Sequence, residues 1–134
     1  MPSETERRTI LIVDDETTVA DSLQLILSSR GYEARAVYSA EQATEVLTEW
    51  QPDLAIIDVM LPKMNGIELA GIVANLCPAC HLLLISGHPG TTDLLNDAKS
   101  HGYSFDILAK PLHPTLILDT VNGLVPHRHD KTEA

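Results

Sequence analysis

The sequence predicts an α/β domain in which helices cover both faces of a five-stranded parallel sheet. Four short apolar runs rich in Ile, Leu and Val each stop abruptly at a polar residue, as strands buried on both faces do, and a fifth segment, YEARAV, also suits a strand. Segments with helical apolar spacing alternate with these runs, and strict alternation implies right-handed crossovers. The length of 134 residues suits one core and leaves no room for a second folded module.

Residues 9–13 (TILIV) form the first strand, and Asp14-Asp15-Glu16 follow at its C-terminal end. From Thr17 to Arg30, Val19, Leu23, Ile26 and Leu27 recur at three- and four-residue spacing, and Gly31 supplies a left-handed stop. Residues 32–37 (YEARAV) suit a second strand. Ser39 with Gln42 makes a capping-box start to a helix carrying Ala43, Val46 and Leu47, and Pro52 marks the return. Leu54 to Ile57 form a third strand ending at Asp58, and the turn-rich LPKMNG leads into a helix with Ile67, Leu69, Ile72 and Val73. Leu82 to Ile85 end at Ser86-Gly87, and residues 91–101 form a weaker fourth helix. Ile107 to Ala109 end at Lys110-Pro111 before a fifth helix from about Pro114 to Asn122. The folded part is placed at residues 8–124, with 1–7 and 125–134 as polar tails. No internal repeat or low-complexity tract interrupts it.

Apolar residues make up 44% of the chain and charged residues 21%, a balance that folds rather than stays disordered. A net charge of -10 disfavours direct binding to nucleic acid or an anionic membrane, because phosphates would be repelled. The apolar runs are far shorter than a bilayer span and the start, MPSETERR, is polar, so the expected location is the cytoplasm. Cys77 and Cys80 are too few for a disulfide scaffold and are expected to be reduced.

In doubly wound sheets function collects at the C-terminal strand edge, and these edges carry Asp14, Asp15, Asp58, Ser86 and Lys110. With strand order 2-1-3-4-5, the flavodoxin-like order, the three carboxylates become neighbours. At about 4 Å and an effective dielectric near 20 each like pair repels by roughly 4 kcal/mol, so either a cation binds or a carboxyl protonates. Oxygen-only ligands favour Mg²⁺ over zinc or copper. Taken alone, Asp-Asp-Glu would be an ordinary solvated loop before a helix; the other strand ends change that weighting.

The segments ILIVDDE, LAIIDVMLPKMNGIEL, LLLISG and LAKPL, in this order, resemble the signature segments of the response-regulator receiver domain, and the resemblance covers nearly the whole chain. It implies that Asp58 is the phosphoacceptor. It also implies that Asp15, Asp58 and the Met60 backbone carbonyl bind Mg²⁺ directly, with Asp14 helping largely through water. Asp58 would attack the phosphorus of a phosphohistidine on a histidine kinase or histidine phosphotransfer protein, while Mg²⁺ and Lys110 neutralise charge on the phosphoryl oxygens. Ser86 would donate its hydroxyl to the bound phosphoryl group and draw its loop inward, shifting a pre-existing equilibrium. The fourth helix, fifth strand and fifth helix would then form the face for a downstream protein target or a homodimer. No enzymatic activity beyond self-phosphorylation and dephosphorylation is expected.

Some residues depart from the family's pattern. The family's usual Tyr or Phe three residues before the strand-five lysine is Ile107, with Phe105 two residues earlier on the same strand face, which questions the aromatic switch. Gly87 replaces a frequent alanine and leaves the acceptor loop freer, close to His88. Pro111 is expected to follow a cis peptide, as in the family. Cys77-Pro78-Ala79-Cys80-His81 matches a haem-attachment string but approaches a core strand, and Cys77 falls at a helix C-terminus where a thiolate gains nothing from the dipole. Packing or surface cysteines are the plain reading.

Three functions compete. The leading one is a phosphorylation-dependent module, whether a switch on a target or a relay to another histidine; no feature separates these. A phosphorylation-independent interaction receiver is the second, supported by Ile107. An aspartyl-nucleophile Mg²⁺ phosphatase is the third, but it commonly needs a general acid two residues on, where this chain has Met60. Neither a P-loop nor a GxGxxG follows the first strand, which removes the nucleotide-binding reading. The chain could also be cut from a longer protein, and its kinase, target and oligomeric state are not readable.

Overall fold

The computed structural model describes residues 7–87, 106–110 and 112–126. Its strands are β1 (Thr9–Val13), β2 (Glu33–Val37), β3 (Leu54–Asp58), β4 (His81–Ser86) and β5 (Asp106–Ala109). Its described helices are α1 (Thr17–Ser29), α2 (Ala40–Leu47), α3 (Gly66–Leu76) and α4 (Pro114–Leu124). All strand pairs are parallel, in the expected order β2-β1-β3-β4-β5. The helix expected at 91–101 lies outside the described residues, as do His88, Phe105, Pro111, residues 1–6 and residues 127–134.

Strand alternation sorts the apolar runs into two cores. Leu11, Val13, Ala55, Ile57 and Leu84 face one side, where α2 and α3 contribute Ala43, Leu47, Leu69 and Val73. Ile10, Ile12, Leu54, Ile56, Leu83 and Ile85 face the other, against Leu23 and Leu27 of α1 and Ile117 and Val121 of α4. Because both faces are covered, β1 and β3 read as unbroken apolar runs rather than alternating ones.

Helix ends follow their local chemistry with one correction. Gly31 closes α1 at φ 92°, a left-handed position that favours glycine. The Ser39 side chain accepts from the Gln42 N–H, but the Gln42 side chain accepts from the Tyr38 N–H instead of closing a box on Ser39 itself. Packing continues just beyond the end of α4. Val125 is buried with the α4 residues, and Arg8 Nε donates to the Pro126 carbonyl at 2.9 Å. Among the described residues, no helix is long and apolar enough to cross a membrane.

Candidate functional site

Strand register brings the polar ends together. Val13 pairs with Ile57, Asp58 with Ile85, and Ser86 with Ala109, so Asp14, Asp58, Ser86 and Lys110 stand along one sheet edge. Backbone bonds continue the ladder past the strands: the Val59 N–H donates to Ile85 O at 3.0 Å and the Lys110 N–H to Ser86 O at 2.8 Å. The stem of Lys110 runs over Gly87, where an added Cβ would meet Lys110 Cδ at 3.4 Å, an ordinary contact.

The Lys110 ammonium sits among three carboxylates. Nζ lies 3.0 Å from Glu16 Oε1, 3.2 Å from Asp58 Oδ2 and 3.2 Å from Asp14 Oδ2. Only the first two are aligned as hydrogen bonds, so the fully buried Asp14 Oδ2 has an ion-pair neighbour but no hydrogen-bond partner. The other oxygens are held by backbone: Asp14 Oδ1 accepts from the Glu16 N–H at 3.0 Å and Asp58 Oδ1 from the Met60 N–H at 3.1 Å. These bonds fix Asp58 with one oxygen toward the ammonium.

Burial pushes the Asp14 carboxyl up to about 6; the Asp58 charge adds to the push, while the Glu16 N–H and Lys110 oppose it. Burial works against the Lys110 ammonium too, but Glu16, Asp58 and Asp14 outweigh it and hold the lysine above its ordinary range.

Asp14 makes the site costly for the metal-free fold. Its pKa rises from 3.8 unfolded to about 6 folded, so between those values the native state binds more protons and stability falls as pH rises. The loss is complete above about pH 6 and on the order of 1–3 kcal/mol. Asp14→Asn in chelator should therefore remove most of the stability slope between about pH 4 and about pH 6 and stabilise the neutral-pH protein. Urea unfolding at both ends of that window measures it, and an unchanged slope would refute the assignment.

An oxygen-only donor set containing a bare buried carboxylate oxygen fits a hard divalent cation such as Mg²⁺. The carboxylates whose oxygens lie within 4.8 Å of one another are those of Asp14, Glu16 and Asp58. Asp15 is exposed and outside that cluster, although it lines the same open cavity of about 870 Å³ with Met60, Gly87 and Lys110. Sequence reasoning placed Glu16 after the first strand but gave it no part in the site. Spacing carried no signal for it, because β1 ends at Val13 and side-chain direction beyond it depends on the strand-to-helix turn.

Gly66 was also missed. A Cβ there would lie 2.8 Å from both the Asp58 carbonyl carbon and Val59 Cα, so the start of α3 packs directly on the backbone that carries Asp58. At the opposite end of α3, Cys77 is buried and Cys80 partly so; both thiols are free and burial pushes both pKa values up. They pack with the core rather than act as thiolates.

Comparison with known proteins agrees with this geometry. The family described as "Response regulator receiver domain" matches residues 10–122. The "DNA-binding response regulator MtrA" of Mycolicibacterium smegmatis is 27% identical over 128 residues, 96% of this chain and 55% of that protein. The chain thus spans about half the length of the curated relatives it matches. Among solved structures, the signal receiver domain of an HD domain-containing protein from Pseudomonas fluorescens Pf-5 superposes with TM-score 0.82 at 28% identity, covering 99% of this chain and 97% of that one. A CheY-like receiver domain protein from Methanospirillum hungatei JF-1 gives TM-score 0.81 at 25% identity, covering 93% and 98%.

Proposed function

The chain belongs to the response regulator receiver domain family, and from that premise we propose that it accepts a phosphoryl group on Asp58 from the phosphohistidine of a histidine kinase or histidine phosphotransfer protein. The observation that carries this reading is Lys110 Nζ at 3.2 Å from Asp58 Oδ2, a fixed ammonium beside a buried carboxylate at the end of β3.

Asp58 Oδ2 supplies the electron pair that forms the O–P bond as the P–N bond to the donor imidazole breaks and its electrons return to the ring nitrogen. The Met60 N–H holds the other oxygen, so the nucleophile is oriented before the donor arrives. Lys110 follows charge from the carboxylate onto the phosphoryl oxygens, and Ser86, at the end of the neighbouring strand, offers a hydroxyl to the same group. Mg²⁺, when bound, would neutralise phosphoryl charge; Asp14, Asp58, Asp15 and the Met60 carbonyl would hold it.

The output is carried by protein contact. Ile107 on β5 and Leu116 on α4 are both exposed, which supports this face as the binding surface for a target or a second copy. The receiver itself, at net charge -10, is not proposed to bind nucleic acid, and it is placed in the cytoplasm, where a kinase would reach it.

Incubation with phosphoramidate or acetyl phosphate, followed by intact mass, tests the reading. One phosphate should appear with Mg²⁺ and be lost with chelator, and amide shifts should spread from Ser86 to Ile107. A modification independent of Mg²⁺, or none at all, would overturn it.

A further inference from the structure

Glu16 occupies the N-cap of α1 without capping it: its side chain makes no hydrogen bond to the helix backbone. Instead it reaches across to Lys110 and makes the shortest of the three contacts to Nζ, at 3.0 Å. The side chain of Glu16 is 60% exposed while that of Asp14 is fully buried, so the ammonium is shared between a carboxylate at the mouth of the cavity and one at its floor. Asp14 Oδ2 stands 3.2 Å from Nζ as an ion pair but receives no hydrogen bond, and Asp14 belongs to the acidic cluster with Glu16 and Asp58.

We propose that Glu16 is a positioning residue that takes a share of the Lys110 ammonium and so weakens its hold on the buried Asp14 oxygen, easing the entry of Mg²⁺. The inference rests on the metal-assisted phosphoacceptor reading above and concerns how that site is kept ready. An ammonium and a divalent cation beside one carboxylate oxygen repel each other, and Asp14 is the most deeply buried of the three carboxylates around Nζ. With Glu16 neutral, Lys110 settles on Asp14 and must be displaced before Mg²⁺ can enter.

The measurement is a Mg²⁺ titration of the unphosphorylated protein by amide NMR or calorimetry, with the Lys110 ammonium followed through its side-chain ¹⁵N resonance. Glu16→Gln should weaken Mg²⁺ binding roughly fivefold, the scale of a partly exposed ion pair. It should also shift the Lys110 resonance in the metal-free protein. In a Lys110→Met background the same Glu16→Gln change should have almost no effect, because the competitor is gone, and this non-additivity is what a merely structural role or a direct metal ligand would not produce. Unchanged affinity in Glu16→Gln overturns the proposal, as does a loss that persists equally in the Lys110→Met background. Wild-type protein that binds no Mg²⁺ overturns the metal reading and this inference with it, whereas normal wild-type binding with an additive cycle overturns this inference alone.

Discussion

Asp58→Asn is expected to reduce phosphorylation by small-molecule donors below detection while leaving the fold intact. An amide is a poor nucleophile toward phosphorus and yields no acyl phosphate, so the effect is loss of the reaction rather than a graded slowing. The substitution is gentle on structure. Asn retains the Oδ1 that accepts from the Met60 N–H at 3.1 Å. It removes the attraction to Lys110 but also the repulsion of Asp14, terms of opposite sign and each about 4 kcal/mol at about 4 Å for an effective dielectric near 20. Their near-cancellation leaves only a small change in stability, so unfolding would not explain the lost reaction. Intact mass after incubation with phosphoramidate and Mg²⁺ measures it, and wild-type levels of a base-labile phosphate in the variant would move the acceptor elsewhere. The Asp14 carboxyl should titrate lower in the variant, because losing the Asp58 charge and drawing closer to Lys110 both favour the carboxylate.

The framework of this site was legible because its chemistry coincides with strand ends. An apolar run buried on both faces must stop where polarity begins, so Asp14, Asp58, Ser86 and Lys110 could be placed on the sheet edge once strand order was known. What composition and spacing did not reveal lies in side-chain direction beyond the strands. Among the acids after β1, Glu16 joins Asp14 and Asp58 within 4.8 Å whereas Asp15 lies outside that cluster, a distinction set by the strand-to-helix turn. Val125 continues the four-residue spacing of Ile117 and Val121, and the docking of α4 buries all three. The partner of Gln42 similarly depends on which of two adjacent N–H groups the incoming chain turns toward it.

Gly66→Ala should destabilise the protein by about 2–4 kcal/mol, more than a surface substitution at a helix start can explain. In an ordinary first turn alanine would be favoured over glycine by up to about 1 kcal/mol. Here the helix start is clamped to the strand end: the Gly66 N–H donates to Val59 O at 2.7 Å, and Asn65 caps the helix by accepting from the Glu68 N–H at 2.8 Å. The obstructing atoms are backbone atoms of Asp58 and Val59, which have no rotamer to change, so room for a methyl comes only from moving α3 or the end of β3. Either displacement disturbs the turn through Met60 whose N–H orients Asp58, so lower stability and slower phosphorylation should appear together. Denaturant unfolding of the variant, with phosphorylation rates taken where it is still folded, reads both. A stabilised variant would mean that the Asp58 turn yields freely and does not hold the nucleophile, whereas a destabilised one ties the helix α3 contact to the reactivity of the carboxylate.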